Sequence, residues 1–506
     1  MDLSASRPAV SSGVRSRRGP VAVVVGAYLI GRMWQLVMMG PPVVASDSPM
    51  YRSPGQAWLD FGAVSWDGSS LRPWPVTVVF ALMPNDRARI IAQFVLATLA
   101  WSACIYQVGR LPVHPRLAVA AAACVAVLAL TRGVSSFDVV ILSESVALSL
   151  VAVFLAALLQ ATRNGPRPGS IIVMLLSAWM LALIRPVLLG LLIVPVVVVV
   201  ARYWSWNPRR WSFDPRRLLR AAALVVPVVL VSGLAMVNVL AYNAASDKTW
   251  GDWRSQTGQT GLNGRTIQQW TVIAGASPVF PQLLDQFIAA DGAPACLNDT
   301  FQQPPPANPP PVCEAGLQWI SAHFNADLVK ELLEHPKLAR DYFVAGWQDV
   351  SVQKVDGDSL PTLVPDPISS LAFGDAKGTD PMALWTLLGA AAVLTAIVLR
   401  LRAAFNAGLI TALLAGYAGL FGTVLLSPTD VSRVGLPVTI LLRVLLIVLI
   451  VQVIDALRRA RTSNRGATTA PTDQFLAPTE TAVSRPNGAK TANLLTDSTD
   501  RAAPSA

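Results

Sequence analysis

Long apolar runs separated by short polar stretches dominate this chain. A helix needs about 20 mainly apolar residues to cross the hydrocarbon core of a bilayer. Ten runs approach or reach that length, so the pattern predicts ten transmembrane helices. The predicted spans are Val21–Val44, Ile90–Val108, Leu117–Leu130, Val139–Ala161, Ile171–Ile184, Val187–Ala201, Leu218–Tyr242, Ala383–Leu399, Ala407–Leu426 and Val434–Leu457.

The same pattern divides the chain into two membrane parts and three polar parts. We predict an all-α, polytopic membrane bundle with a small extracytoplasmic cap. The predicted parts are a disordered cytoplasmic tail (1–20), an N-terminal transmembrane catalytic module (21–242) with its first extracytoplasmic loop (45–88), an extracytoplasmic segment (243–381), C-terminal transmembrane helices (382–457) and a second disordered cytoplasmic tail (458–506).

Composition agrees with a membrane protein and excludes the soluble globular class. Hydrophobic residues make up 53% of the chain, charged residues only 14%, and the mean hydropathy is +0.49. The net charge of +10 comes mainly from 34 arginines. Because these fall in short loops between apolar runs, the basic balance reflects membrane topology. We therefore expect contact with membrane lipid and no nucleic-acid partner.

The arginine distribution predicts the orientation of the bundle. Every predicted inward loop carries at least two arginines, whereas the short outward loops hold Arg132, Arg185 and Arg433. This asymmetry predicts a multi-pass protein of the cell membrane with both termini in the cytoplasm. The first outward loop carries a further set that topology does not require: Arg52, Arg72, Arg87 and Arg89.

The first apolar run permits two interpretations. Its end, Val43-Val44-Ala45, resembles a signal-peptide cleavage site. Arg32 inside the run, together with the spans that follow, favours a retained signal anchor. Arg32 itself is either a side chain that extends to the outer interface or a functional group.

Cysteine positions predict one disulfide bond. Cys296 and Cys313 flank a proline-rich patch in the predicted extracytoplasmic segment, where an oxidising environment permits a disulfide. Cys104 and Cys124 lie inside predicted spans, and we expect them to be core thiols.

The chemistry-bearing residues are acids and arginines on the outer side. The sequence has no glycine-rich phosphate loop, no His/Cys metal cluster and no Gly-x-Ser-x-Gly elbow. We therefore predict no cofactor, with a divalent cation left open. The outer candidates are Asp47, Asp60, Asp67, Glu144, Arg185, Lys248, Arg254, Arg265 and Arg433.

Asp47 follows the first span, where water meets the bilayer. Arginines bind phosphate through paired hydrogen bonds, and a carboxylate can take the proton of an attacking hydroxyl. The pattern therefore indicates sugar transfer from a polyprenyl-phosphate donor, with Asp47 as general base. The alternatives are structural: Asp47 as a helix cap, Glu144 as a hydrogen-bond partner within the bundle, and Arg185 and Arg433 as markers of outer turns.

The same residues resemble the GT-C superfamily of membrane glycosyltransferases. Four features, in order, are similar to the branch of dolichyl-phosphate-mannose protein mannosyltransferases and aminoarabinose transferases. They are Arg32 followed by Asp47, Tyr51, Ala57 and Gly62; Arg72-Pro73-Trp74-Pro75 at a helix entry; Leu142-Ser143-Glu144-Ser145 at the head of a span; and Ile184-Arg185-Pro186 between two spans. The likeness covers about residues 25–205 and continues only in Asp430-Val431-Ser432-Arg433.

The resemblance implies an extracytoplasmic active site and an inverting transfer, with Asp47 as the base. It also implies a polyprenyl-phosphate sugar donor. The predicted substrate-binding residues are Arg32, Tyr51, Arg72, Glu144, Arg185 and Arg433, with Arg265 added from its position in the outer segment and not from the resemblance. The acceptor class, whether glycan, lipid or protein, stays open. Two positions depart from the family pattern: Ser48 stands where a second acid is usual, and Trp74 replaces a second proline.

Two other functions fit a membrane protein of this kind. A transporter or lipid flippase also carries embedded charges, although the halves of this chain show no self-similarity of the kind transporters have. The second function is a non-catalytic role in cell-envelope assembly for a protein with a GT-C-like fold. Ser48, which stands where the family usually has an acid, leaves this alternative open.

Overall fold

The computed structural model describes residues 18–44, 48–52, 64–69, 72–203, 215–256, 294–296, 315–316, 319, 334, 336–337, 339–340, 360–373, 381–398, 403–426 and 434–468. These residues are almost entirely helical, as predicted, with an isolated parallel β-bridge between Val43 and Val140. The chain divides into two compact units, Met1–Leu457 and Arg458–Ala506, and the helical bundle belongs to the first.

Fourteen α-helices are described, in chain order. They are α1 Arg18–Val37, α2 Ser48–Arg52, α3 Trp74–Ala81, α4 Asp86–Gly109, α5 Pro115–Leu130, α6 Arg132–Ser135, α7 Glu144–Asn164, α8 Pro168–Ile184, α9 Val194–Tyr203, α10 Pro215–Gln256, α11 Asp366–Phe373, α12 Pro381–Val398, α13 Ala403–Leu426 and α14 Leu436–Thr468. Two 3-10 helices, Ser136–Val139 and Pro186–Ile193, connect α6 to α7 and α8 to α9.

Within the described residues, six helices are long and apolar enough to cross a membrane: Gly19–Val37, Asp86–Gly109, Glu144–Asn164, Ala222–Ser246, Asn406–Val424 and Leu436–Thr462. A seventh span is formed if Pro115–Leu130 and Arg132–Val139, which meet at a bend of 57°, count as one. The other predicted spans correspond to shorter apolar helices: Pro168–Ile184, Pro186–Arg202 and Trp385–Thr395. The described residues therefore confirm an all-helical architecture with several helices that are long and apolar enough to cross a membrane, and the count of ten stays a prediction.

The segment that begins at Pro186 is short in sequence but extends over about the thickness of a bilayer core, because part of it is a 3-10 helix. Its first 8 residues form a 3-10 helix and its next 10 form α9. A 3-10 helix rises about 2.0 Å per residue and an α-helix about 1.5 Å, which gives a total of about 31 Å. That length matches the hydrocarbon core of a typical bilayer, about 30 Å.

The centre of the bundle is the first half of α14. Residues 435–446 are all buried, on every side of the helix. A helix that is apolar all round belongs in the interior of a bundle. Elsewhere in the bundle, α4 packs on α7, α7 packs on α8, and α13 packs on α9 and on the 3-10 helix Pro186–Ile193.

Two glycines of α13 allow close contacts with neighbouring helices. A Cβ atom at Gly419 would lie 2.7 Å from the carbonyl oxygen of Val187, and one at Gly416 would lie 2.8 Å from Leu442. Small residues at helix interfaces are the usual means of close approach in membranes. α13 therefore lies tightly between the 3-10 helix Pro186–Ile193 and α14.

The chain around the predicted first outward loop is tied to the rest of the bundle at several places, two of which involve close backbone contacts. Val43 donates its backbone N–H to Val139 (2.9 Å) and accepts from Ile141 (3.3 Å). At the other place Gly68, with φ +91°, approaches α10 so closely that a Cβ atom would lie 2.6 Å from the carbonyl oxygen of Tyr242. α10 continues to Gln256, beyond the predicted membrane boundary at Tyr242.

Most of the predicted extracytoplasmic cap, 243–381, and most of both predicted tails lie outside the described residues. In the second unit, residues 458–468 continue as helix, and Thr462 donates its hydroxyl to the carbonyl oxygen of Arg459 (2.8 Å).

Candidate functional site

Glu144 lies at the first position of α7 and is 1% exposed. A carboxylate in the first helical turn is favoured by the helix dipole. Its oxygen Oε1 accepts a hydrogen bond from Nη2 of Arg185 at 2.7 Å. Glu144 is therefore a buried acid whose charge is balanced by an arginine.

Arg185 lies at the break between α8 and the following 3-10 helix. Because a proline follows it, its backbone avoids the helical region, and it has φ −136° and ψ 90°. Its Nη2 also donates to the hydroxyl of Ser143 at 3.2 Å. The side chain is 13% exposed, and its Nε meets no acceptor in the described part of the chain. The Ile184-Arg185-Pro186 sequence thus places a guanidinium with donor capacity left over beside Glu144.

Tyr51 and Arg72 extend this cluster towards the first loop. Tyr51 on α2 is 3% exposed, and its hydroxyl donates to the Ser143 hydroxyl at 2.9 Å. The guanidinium carbon of Arg72 lies 4.7 Å from the centroid of the Tyr51 ring. A continuous set of contacts therefore joins Arg72, Tyr51, Ser143, Arg185 and Glu144, which we call the outer cluster. Four of the predicted donor-binding residues meet in it.

Asp47, the predicted base, lies outside the described residues. Val43 before it and Ser48 after it are described, and both are hydrogen-bonded to the segment that precedes Ser143 in the chain. Val43 pairs with Val139 and Ile141, and the Ser48 hydroxyl donates to the carbonyl oxygen of Ile141 at 3.0 Å. The chain on both sides of residue 47 is therefore held against residues 139–141.

Arg32, predicted to bind substrate, lies in a different network. Its side chain is 1% exposed and pairs with the Asp138 carboxylate. It also donates from Nη1 to Gln35 (3.0 Å) and from Nε to Thr98 (3.1 Å), and its guanidinium carbon lies 3.8 Å from the centre of the Phe94 ring. The guanidinium is satisfied inside the bundle and does not extend to solvent. Its contact with substrate stays a prediction.

Asp138 was not identified from the sequence. It is 3% exposed, and it accepts from the Ser145 hydroxyl at 2.6 Å as well as from Arg32. A sequence signal existed: an acid between two apolar runs is costly in a membrane and needs a basic partner, and Arg32 is such a group.

Two of the additional arginines in and beside the first loop form ion pairs with the same carboxylate. Asp86, in the first turn of α4, pairs with Arg52 and with Arg89, the latter at 2.8 Å. Arg87 donates to the carbonyl oxygen of Gly40 at 2.5 Å. These contacts hold the first loop to the start of α4.

The remaining candidates are only partly described. Cys296 is disulfide-bonded, and Cys313, its predicted partner, lies outside the described residues together with Arg265 and Arg433. Cys104 and Cys124 are free thiols. Cys104 is buried, as predicted, whereas Cys124 is exposed on its helix, so the prediction of a core thiol is wrong for Cys124. No group of three or more His, Cys, Asp or Glu side chains that could hold a metal ion occurs within the described ranges.

Chemically, the outer cluster combines two guanidinium groups, a buried carboxylate and two hydroxyl groups. Such a set is suited to binding an oxyanion such as phosphate, because each guanidinium offers several donors in a planar fork. Comparison of the chain with protein-family models and with curated proteins gives no match.

Proposed function

We propose that this protein is a membrane glycosyltransferase of the GT-C type. It transfers a sugar from a polyprenyl-phosphate donor to a glycan, lipid or protein acceptor at the extracytoplasmic face. The observation that carries this proposal is the outer cluster, where Glu144 and Arg185 meet Tyr51 and Arg72.

The position of Asp47 in the chain supports its role as the base. Ser48 bonds to the carbonyl oxygen of Ile141, two residues before Ser143 in the sequence. We propose that the carboxylate of Asp47, the residue before Ser48 in the sequence, serves the substrate bound at the outer cluster.

In the proposed reaction, the acceptor hydroxyl attacks the anomeric carbon of the donor while Asp47 takes its proton. The new glycosidic C–O bond forms on the face opposite the phosphate, and the bond from the anomeric carbon to the phosphate oxygen breaks. Both electrons of that bond stay with the polyprenyl phosphate. Arg185 and Arg72 stabilise the charge that develops on the leaving phosphate.

Glu144 acts on this reaction through Arg185. Its hydrogen bond of 2.7 Å fixes one end of the guanidinium and leaves Nε for a phosphate oxygen. Glu144 is therefore a positioning residue, and Arg185 is the group that meets the donor.

The test is transfer of radiolabelled sugar from polyprenyl-phosphate hexose and pentose donors, in membranes that contain the full-length protein. General base catalysis contributes about 10²- to 10⁴-fold, so Asp47→Asn is expected to lower the rate by about 10³-fold. Asp67→Asn is the matched control, because Asp67 is an exposed acid of the same loop. Full activity of Asp47→Asn would remove Asp47 from the role of base.

A transporter or lipid flippase is the second candidate, and the buried Arg32–Asp138 pair favours it because embedded charge pairs also mark solute and ion pathways. Reconstituted vesicles distinguish the two. Movement of solute or lipid across the bilayer without any sugar transfer would contradict the glycosyltransferase proposal and support the transporter or flippase.

A further inference from the structure

Arg443 lies in the most enclosed part of the bundle. It belongs to α14, within the continuous run of buried residues 435–446, and its side chain is 0% exposed. Its sequence neighbours Leu441, Leu442, Val444 and Leu445 are apolar and fully buried. In the sequence, Arg443 lies inside the predicted span Val434–Leu457, away from the predicted outer candidates.

The guanidinium of Arg443 has no hydrogen-bond acceptor in the described part of the chain. This is true of each of its three nitrogen atoms, Nε, Nη1 and Nη2. Its guanidinium carbon lies 4.6 Å from the centroid of the Phe373 ring, at the end of α11. The contact with an aromatic face is attractive, but it does not satisfy the N–H donors.

An arginine keeps its positive charge in proteins. Buried charges are accordingly paired and hydrogen-bonded, since an uncompensated one is strongly destabilising. In a membrane, an ionisable residue inside a span is a functional candidate by default. An anionic ligand would supply the missing acceptors.

We propose that Arg443 binds a phosphate oxyanion inside the bundle. The Phe373 ring covers one face of the guanidinium, and the donors lie along its edge, in the plane where the two oxygens of a phosphate can accept together. Because all three nitrogen atoms are closed off from solvent, the oxyanion enters by displacing an apolar neighbour.

The position of Arg443 on α14 agrees with a ligand that comes from the nearer end of the helix. It lies seven positions after Leu436, the first residue of α14, which is a distance of about 10 Å along the helix at 1.5 Å per residue. Two sources supply such a phosphate group: the headgroup of a membrane lipid, including polyprenyl phosphate, and free inorganic phosphate. The proposal does not depend on sugar transfer.

The experiment measures the thermal unfolding midpoint, Tm, of the full-length protein in delipidating detergent. Inorganic phosphate, phosphatidylglycerol and polyprenyl phosphate are added in separate arms. A ligand that binds only the folded state raises Tm, and a saturating phosphate ligand is expected to raise that of the wild type by about 3 °C.

Arg443→Gln is expected to lose at least half of that rise. Arg87→Gln, which removes the same charge from an exposed position, is the matched control and is expected to keep it. The part of the rise that depends on Arg443 is the difference between wild type and variant. Binding of polyprenyl phosphate at the outer cluster therefore does not affect the result.

A rise with the two lipids alone assigns the site to a lipid phosphate, and a rise with all three ligands assigns it to the phosphate group itself. An equal rise in wild type and Arg443→Gln would overturn the proposal, and so would a wild type that responds to none of the ligands. Arg443→Lys replaces Arg443→Gln if the latter does not fold. It keeps the charge but loses the planar pair of donors, so a rise smaller than that of the wild type is required.

Discussion

Arg32 and Arg443 are two buried arginines in the same bundle with opposite surroundings. Each lies beside a phenylalanine ring, Phe94 for Arg32 and Phe373 for Arg443. Arg32 bonds to Asp138, Gln35 and Thr98, whereas Arg443 has no acceptor in the described ranges. The burial is nearly the same, 1% and 0% exposed.

The comparison shows that burial alone does not tell what a charged side chain does. A buried ion pair whose hydrogen bonds are all formed, such as Arg32 with Asp138, favours one way of packing its helices. Any packing that separated the two charges would leave each of them buried and unpaired, which is strongly destabilising. A buried charge without an acceptor is instead a place where a ligand would restore the balance. The outer cluster lies between these cases, since Arg185 is paired with Glu144 but is 13% exposed and keeps one buried donor without an acceptor.

The largest effect is expected from breaking the satisfied pair. Asp138→Leu leaves the Arg32 charge buried without its carboxylate, so we expect the free energy of unfolding to fall by about 4 kcal/mol. The double variant Arg32→Met/Asp138→Leu is expected to recover to within about 1 kcal/mol of the wild type. Denaturant unfolding of the purified protein in detergent measures both. Equal losses in the single and double variants would show that the pair is not coupled.

At Arg443 we expect substitution to change the free energy of unfolding in the opposite direction. Without added phosphate, Arg443→Met removes an uncompensated charge and keeps much of the side-chain volume. We therefore expect the free energy of unfolding to rise by about 2 kcal/mol. The same detergent unfolding experiment applies. A loss of stability like that of Asp138→Leu would mean that the chain itself supplies a partner, and the contrast between the two arginines would not hold.

A smaller effect is expected in the outer cluster. Tyr51→Phe removes the hydroxyl that donates to Ser143, while Ser143 keeps its contact with Arg185. A buried hydrogen bond contributes about 1 kcal/mol, so we expect a loss of that size. The control is Tyr106→Phe, because Tyr106 is 40% exposed and its hydroxyl accepts from Arg110 at the surface. If both variants lose equally, the Tyr51 contact has no special part in the cluster.

The smallest effect concerns Asp67, a fully exposed acid that is held by short-range hydrogen bonds alone. The Ser69 hydroxyl, the Ser69 backbone N–H and the Ser65 hydroxyl lower the pKa of Asp67 to about 2. Its contribution to the loop is therefore complete above its ordinary value of 3.8 and is lost as the pH falls through about 2. Carboxyl NMR of labelled aspartate, assigned with Asp67→Asn, measures the midpoint, and Ser69→Ala should raise it. A wild-type midpoint near 3.8 would contradict this.

The sequence determined the membrane architecture, because apolar runs have few alternatives in a bilayer. Backbone groups in lipid must bond within their own segment, so a run that enters the membrane becomes helical. Ile184-Arg185-Pro186 also predicted a break at the position where α8 ends, since the residue before a proline avoids the helical region. Glu144 also lies near the head of the predicted span Val139–Ala161, whereas the helix α7 itself begins at Glu144, five residues later than the predicted start of the span.

Only the tertiary structure decided which charges are paired. Arg32 and Asp138 are 106 residues apart in the chain, and Glu144 and Arg185 are 41 apart. No local pattern encodes such contacts, because they depend on how helices with similar apolar faces pack against one another. The sequence treated Arg32 and Arg185 alike as outer cations and did not single out Arg443. In the folded chain Arg32 contacts the carboxylate of Asp138. Arg185 contacts the carboxylate of Glu144 but keeps its Nε without an acceptor in the described residues, and Arg443 contacts the Phe373 ring and meets no acceptor there.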